Sequence, residues 1–284
     1  MPLFNRVTIV GLGLIGSSLG MAITRKRLAR EVVGYSRKSS TLAQAKRRGA
    51  IVRGSTSLAE AVRDADLVVL ATPVDTMVPL ARRLRRVLKP GAILTDVGSS
   101  KAQLVRRLEA IMPTGTAFVG THPLAGSEQR GLAAACPELF DGSCCVITRT
   151  RRTDPRALRR VAQLWTPLVQ RVEVMDPARH DALLAAVSHV PHLLAFSLML
   201  ATPAAARAIA PRSFSDATRV ASSDPGLWQG IVLSNRREIL AALDRLDRVL
   251  RQGRALIARA DSRRLHQWLV DAHRLRQALS NSSH

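Results

Sequence analysis

Val7-Thr8-Ile9-Val10-Gly11-Leu12-Gly13-Leu14-Ile15-Gly16 is the stretch on which the fold turns. A β-branched run leads straight into glycines spaced G-x-G-x-x-G, and an apolar helical pattern follows through about Thr24. In that order each glycine has its own duty. The first permits a tight turn, the second lets backbone approach a pyrophosphate, and the third lets helix and strand pack closely. The helix start adds free N–H donors and the positive end of its dipole. The spacing alone is weak evidence; strand, loop and helix in sequence make it specific. Gly11, Gly13, Ile15 and Gly16 are therefore expected to hold a dinucleotide.

The pattern repeats outward from there. Strand-like runs recur at Glu31–Tyr35, Ala50–Val52, Asp66–Ala71, Ala92–Asp96, Ala117–Val119, Cys144–Thr148 and Arg171–Asp176. Helical patterns separate the first of them, at Thr41–Arg48, Leu58–Arg63, Val78–Leu88 and Leu104–Ile111. This rhythm predicts an α/β fold with an N-terminal, Rossmann-type, doubly wound and mostly parallel sheet. Strand signals stop after Asp176, and Ala/Leu/Arg-rich helical segments run from Pro177 to about Gln277, broken at Pro191, Pro203, Pro211 and Pro225. The expected division is a dinucleotide-binding domain over 1–176 and an all-helical domain over 177–284.

Cofactor choice is legible just past the second strand. An acidic residue that bonds a ribose 2′-hydroxyl is expected about 20 residues beyond the loop. That position is Ser36, followed by Arg37, Lys38, Ser39, Ser40 and Thr41. No carboxylate stands there to repel a 2′-phosphate, and a hydroxyl with a guanidinium suits one. Ser36, Arg37 and Thr41 thus point to NADP, with NAD the weaker candidate. Thr72 and Pro73, ending the fourth strand, are expected beside the nicotinamide half.

Gly120-Thr121-His122-Pro123-Leu124-Ala125-Gly126-Ser127-Glu128 names the chemistry. Proline fixes its own φ and biases the residue before it away from helix, so His122 is expected on a turn. Small residues after it leave room beside the imidazole. Three further segments accompany it: Asp96-Val97-Gly98-Ser99-Ser100-Lys101, Ser188-His189-Val190-Pro191-His192, and Ala217-Thr218-Arg219-Val220-Ala221-Ser222-Ser223-Asp224-Pro225. In order and spacing these resemble the prephenate/arogenate dehydrogenase family of tyrosine biosynthesis, from Val7 to roughly Leu250. The resemblance implies oxidative decarboxylation of a cyclohexadienyl substrate. It makes His122 the acceptor of the hydroxyl proton, Ser99 its hydrogen-bonding partner and Arg219 the anchor for a substrate carboxylate. Glu128 and His192 match pocket-lining positions, and Trp228 an aromatic that can reach the pocket across a homodimer interface. An acidic Glu128 would suit the ammonium of arogenate. His180-Asp181 has two readings, a catalytic pair or the fixed start of the first long helix.

Composition sets the bounds. Of 284 residues, 46% are hydrophobic and 23% charged, ordinary for a globular protein. The 43 basic and 21 acidic residues give a net charge of +22. Only five basic residues are lysines, and the arginines are scattered as pairs. With 3% aromatics there is little to stack on bases, so a nucleic-acid partner is not expected. Three cysteines, two of them adjacent, fit packed thiols rather than a disulfide or a metal site. No uninterrupted apolar run of about 18 residues and no signal-peptide layout is found, so no membrane partner and a cytoplasmic location are expected. Two rival readings compete with the dehydrogenase. A β-hydroxyacid dehydrogenase-like reductase would need a lysine in the helical part, and none follows Lys101. A basic nucleic-acid-binding protein on an inactive Rossmann fold would show no turnover.

Overall fold

In the computed structural model, which describes residues 1–126, 129 and 131–281, six strands form one parallel sheet. They are β1 (Phe4–Val10), β2 (Ala29–Tyr35), β3 (Arg53–Ser55), β4 (Leu67–Leu70), β5 (Ile93–Asp96) and β6 (Ala117–Val119), in spatial order β3-β2-β1-β4-β5-β6. The near-continuous apolar runs of β1 and β4 are explained by burial on both faces, as parallel strands require. Val7, Ile9 and Val69 join the core on one side with Leu19, Ile23 and Trp165. Val10, Val68 and Leu70 join the other, with Met77, Leu84 and Leu108. Strand order reverses between β1 and β4, and Val10 pairs with Leu70 where both strands end. Crevices at such reversal points are where α/β sheets bind ligands.

Helices α1 (Leu14–Arg25), α2 (Ser39–Arg47), α3 (Leu58–Val62), α4 (Val74–Leu84) and α5 (Ala102–Glu109) connect these strands. The third strand lies beyond the expected Ala50–Val52. Ala50 and Ile51 are instead buried beneath α1, and pairing with β2 begins only at Arg53. Helix α4 starts four residues earlier than expected, from Pro73 as its cap, and accommodates Pro79.

A second sheet holds β7 (Thr121–Pro123), β8 (Cys144–Thr148) and β9 (Arg171–Met175) in the order β7-β8-β9. Here the expectation of a turn at His122 fails. The residue pairs antiparallel with Val146, in the middle of β7. Pro123 is tolerated because β7 is an edge strand, where a missing N–H breaks no ladder. The chain passes from β6 to β7 through Gly120, where a Cβ would come within 2.5 Å of Thr148 Oγ1. Helix α6 (Pro155–Trp165), capped by Asp154, joins β8 to β9.

No strand follows Met175 among the described residues. Asp176 caps α7 (Pro177–Leu184), so the helix start does not depend on His180-Asp181. A π turn over Ala185–His189 continues into α8 (Val190–Ala201). The expected break at Pro191 is therefore a widened turn. Proline has no N–H for the Val187 carbonyl, and the neighbouring Val190 N–H reaches five residues back to Ala185. Being continuous, the run Pro177–Ala201 is long and apolar enough to cross a membrane by length and composition. Core helices pass the same test, and this one carries buried His180, Asp181 and His189. Then come α9 (Ala204–Ala208), α10 (Arg212–Thr218), a 3₁₀ turn at Arg219–Ser222, and α11 (Pro225–Ser234) capped by Asp224.

By contacts the chain divides into two units, Met1–Arg236 and Arg237–His284. The second consists of α12 (Arg236–Ala258), from its second residue on, and α13 (Ser262–Asn281). These two helices approach where Gly253 faces Trp268, with only 3.4 Å between a Cβ there and the indole.

One close approach tests the first unit without touching its ligand sites. A Cβ on Gly20 would lie 2.1 Å from the Ala50 carbonyl oxygen, so α1 rides directly on the backbone before β3. Gly20→Ala should lower unfolding stability by about 1–3 kcal/mol, the usual cost of overpacking. Urea denaturation checks it; an unchanged midpoint would refute the packing described.

Candidate active site

The cofactor loop emerges where β1 and β4 end. Gly11 has φ of +106°, and a Cβ on it would meet the Ala71 carbonyl oxygen at 2.6 Å, so only glycine serves. Gly16 would clash with the Gly11 carbonyl oxygen at 2.0 Å. Gly13, in contrast, faces open space, with nothing within 4 Å. It caps α1 without any side-chain acceptor, and no acidic residue stands in the first turn. Ile15 is half-buried in that turn. An open glycine at an uncapped helix start fits a pyrophosphate.

The other cofactor candidates border this loop. Gly11 N–H donates to the Tyr35 carbonyl (3.2 Å), which brings the end of β2 alongside. Ser36 follows, half-buried, its Oγ accepting from Lys38 N–H at 3.2 Å. Arg37 is exposed, and Thr41 is half-buried in the first turn of α2. On the opposite side Thr72 Oγ1 accepts from Thr76 Oγ1 (2.8 Å), and Pro73 is exposed at the head of α4.

Beyond the end of β5 lies a buried hydrogen-bonded chain that begins at His122. Its Nδ1 is 2.8 Å from Nε2 of His180, whose Nδ1 is 2.8 Å from Oδ1 of Asp181. The Asp181 carboxylate also accepts the backbone N–H of Lys101 on Oδ1 (2.7 Å) and of Ala102 on Oδ2 (2.8 Å). An ionised carboxylate only accepts, so His180 carries its proton on Nδ1 and accepts on Nε2. His122 must then donate from Nδ1. That leaves His122 Nε2 as an acceptor with no partner among the described residues.

Every imidazole here is held below the ordinary histidine range. His122 is pushed well below it by burial, and further by His180, Lys101 and His189. Burial also lowers His180, against the opposing hydrogen bond to Asp181. His189 falls to about 4, chiefly by burial. Its Nδ1 lies 3.1 Å from Asn235 Nδ2, which also donates to the Asp181 carbonyl at 2.8 Å. His122 is thus uncharged at neutral pH.

The remaining candidates gather less evenly. His192 stacks on Trp228, with ring centres 3.7 Å apart, while its Nδ1 lies 2.9 Å from the Ser188 carbonyl oxygen. Trp228 also meets His189 edge-on, so the indole reaches these histidines within its own chain. Arg219 is exposed at the start of the 3₁₀ turn, and its charge helps depress His192. Ser99 is half-buried after β5, with no hydrogen-bond partner among the described residues. It follows Gly98, whose N–H donates to Asp96 at 2.8 Å, and the same carboxylate accepts the Thr121 N–H at 3.3 Å. Glu128 lies outside the described residues. No group of three potential metal ligands occurs among the described residues. Sequence reasoning missed the coupling of His180, Asp181 and Asn235 to His122; their only signal was the His180-Asp181 dipeptide.

Comparison with known proteins identifies the family. Residues 19–174 match the nucleotide-binding domain of prephenate dehydrogenase, and residues 176–271 its dimerization domain. The cyclohexadienyl dehydrogenase of Zymomonas mobilis is 33% identical over 98% of this chain and 97% of its own. The prephenate dehydrogenase of Bacillus subtilis is 31% identical over 97% of this chain and 76% of its own. The crystal structure of A. aeolicus prephenate dehydrogenase, in complex with hydroxyphenyl propionate and NAD+, superposes with a TM-score of 0.90 at 31% identity, covering 98% of both chains. These matches place the chain in the prephenate dehydrogenase family of NAD(P)-dependent oxidoreductases, and a glycine loop at the sheet's reversal point accords with that.

Proposed function

We propose that the protein is an NADP+-preferring prephenate or arogenate dehydrogenase of L-tyrosine biosynthesis, working in the cytoplasm as a homodimer. The accepting Nε2 of His122, fixed by the chain through His180 to Asp181, is the observation that carries this reading. When bound, the nicotinamide supplies the two-electron acceptor for the ring carbon that bears the hydroxyl. His122 Nε2 takes the proton from that hydroxyl as the carbon is oxidised. The ring carboxylate then leaves as carbon dioxide and the ring becomes aromatic.

The other residues serve this step. As the positive charge develops on His122, Asp181 stabilises it through His180. Ser99, whose hydroxyl has no partner among the described residues, orients the substrate hydroxyl toward His122. Arg219, beside His192 and Trp228, anchors a carboxylate, for which a planar guanidinium is apt. Glu128 is assigned to the pocket lining. Ser36, Arg37 and Thr41 take the 2′-phosphate, while Gly11, Gly13, Ile15 and Gly16 take the pyrophosphate, and Thr72 and Pro73 adjoin the nicotinamide. Residues 1–176 act as the cofactor domain and 177–284 as the substrate and dimer domain. Exposed Val187, Leu198 and Leu200 in that helical part suit a subunit contact.

Prephenate and arogenate, each with NADP+ and NAD+, should be assayed by reduced-cofactor absorbance. Turnover is expected in at least one pairing, faster with NADP+; silence in all four would sink the proposal. His122→Asn should lower kcat about 10²–10⁴-fold, the range for a general base. Arg219→Ala should raise KM roughly 10–100-fold, as loss of a charge-assisted bond predicts, and an unchanged KM would remove its role. Arg37→Ala should erode the preference for NADP+; unaltered selectivity would move the phosphate site elsewhere.

A further inference from the structure

Asn235, the residue that ends α11, is 3% exposed and has no part in the chemistry above. Its Nδ2 lies 2.8 Å from the Asp181 carbonyl oxygen and 3.1 Å from His189 Nδ1. A carbonyl only accepts, so the amide nitrogen, and not the amide oxygen, faces Asp181. That same nitrogen has only hydrogens to offer His189, whose Nδ1 must therefore accept. An imidazole that accepts on one nitrogen is neutral and carries its proton on the other. Burial agrees, holding His189 at about 4. The Nε2 of His189 is thereby committed as a donor.

That donor has no hydrogen-bond acceptor among the described residues, although His189 is 1% exposed. Trp228 gives it only a ring contact, 6.1 Å between centres, and aromatic faces accept N–H groups weakly. A buried polar group left in this way demands a reason, because native interiors pair nearly all of them.

Position supplies the reason. Trp228 in the first turn of α11 and Asn235 at its end are seven residues apart, about two turns, so they share one side of the helix. His189 touches both. The two ring nitrogens of an imidazole point in divergent directions, so Nδ1 turned to Asn235 leaves Nε2 facing away from it. At the other end of α11 stand the site residues: Trp228, His192 stacked on it, and Arg219 in the turn before the helix. A cyclohexadienyl substrate brings two carboxylates, one on the ring and one on the side chain, and a single guanidinium serves one of them. We infer that His189 is a further substrate-binding residue, its Nε2–H committed by Asn235 and donated to a substrate carboxylate. The assignment rests on the dehydrogenase reading above.

Two variants of equal length isolate the donor. In His189→Gln an amide nitrogen reaches about where Nε2 sits, and in His189→Met nothing there can donate. Both lose the ring and the contact to Asn235, so a merely structural role would affect them alike. The KM of the Met variant for prephenate or arogenate should exceed that of the Gln variant by roughly 10–100-fold, as loss of a hydrogen bond to a charged acceptor predicts. Equal KM values overturn the inference. 4-Hydroxyphenylpropionate keeps the side-chain carboxylate and lacks that of the ring. A gap between the variants in its Kd as well assigns the side chain, and a gap in KM alone assigns the ring. Should neither variant fold, nitrogen-15 spectra of the wild-type histidines decide. His189 should show a protonated Nε2 and an unprotonated Nδ1, and substrate added without cofactor should shift Nε2. A proton on Nδ1, or an Nε2 signal that substrate leaves unmoved, overturns the inference. Failure of the dehydrogenase reading shows separately, as wild-type protein that turns over neither substrate.

Discussion

The Asp181 carboxylate, caught by the backbone N–H groups of Lys101 and Ala102, is the contact on which the rest of the site depends. Two donors at the head of α5 occupy one oxygen each, and a helix start favours negative charge. With the carboxylate fixed, His180 can offer it only a protonated Nδ1, and each tautomer outward is set by elimination. The tautomer of His122 is thus specified two residues away, by a helix terminus. The same contact draws α7 onto α5, so the tautomers and the packing of the helical run on the sheet are set together.

The fold serves this by ending many strands in one place. β1 and β4 end at the glycine loop, and β5 ends at Asp96. The chain then leaves the parallel sheet at Gly120 and enters the second sheet at Thr121. Asp96 spans that joint, accepting from Thr121 on one side and Gly98 on the other. A carboxylate at a strand end thereby holds both Ser99 and His122 near the reversal point of the larger sheet. The π turn completes the arrangement from the helical side. One extra residue in a turn rotates the downstream helix by about 100° relative to an unbroken α-helix. That rotation is built into the placement of His192 against Trp228.

Local pattern made the Rossmann-type sheet readable. Apolar β-branched runs and spaced glycines are properties of short segments, and β1, β4 and the loop stand where those patterns placed them. What local pattern could not supply was competition between segments. Ala50 and Ile51 look like a strand, yet α1 needs them as a floor, and pairing waits until Arg53. Pro123 signals a turn, but an edge position makes its missing N–H harmless and the residues form a strand. His122 itself was legible from its neighbours. His180 and Asp181 were not tied to it, because their link spans 58 residues and forms only once α7 docks. Asp96 and Lys101 sit within a visible motif, and only burial reveals that they form a dry ion pair.

The closed end of the histidine chain has a consequence for the catalytic cycle. Among the described residues every hydrogen donor around the Asp181 carboxylate is either backbone or His180, and His180 and Asp181 are almost wholly buried. Such a chain can shelter a charge but has no outlet to bulk water at its far terminus. In the proposed reaction, a proton taken up at His122 Nε2 departs through the same nitrogen. Each proposed turnover therefore ends with His122 releasing its proton on the side where it took it up.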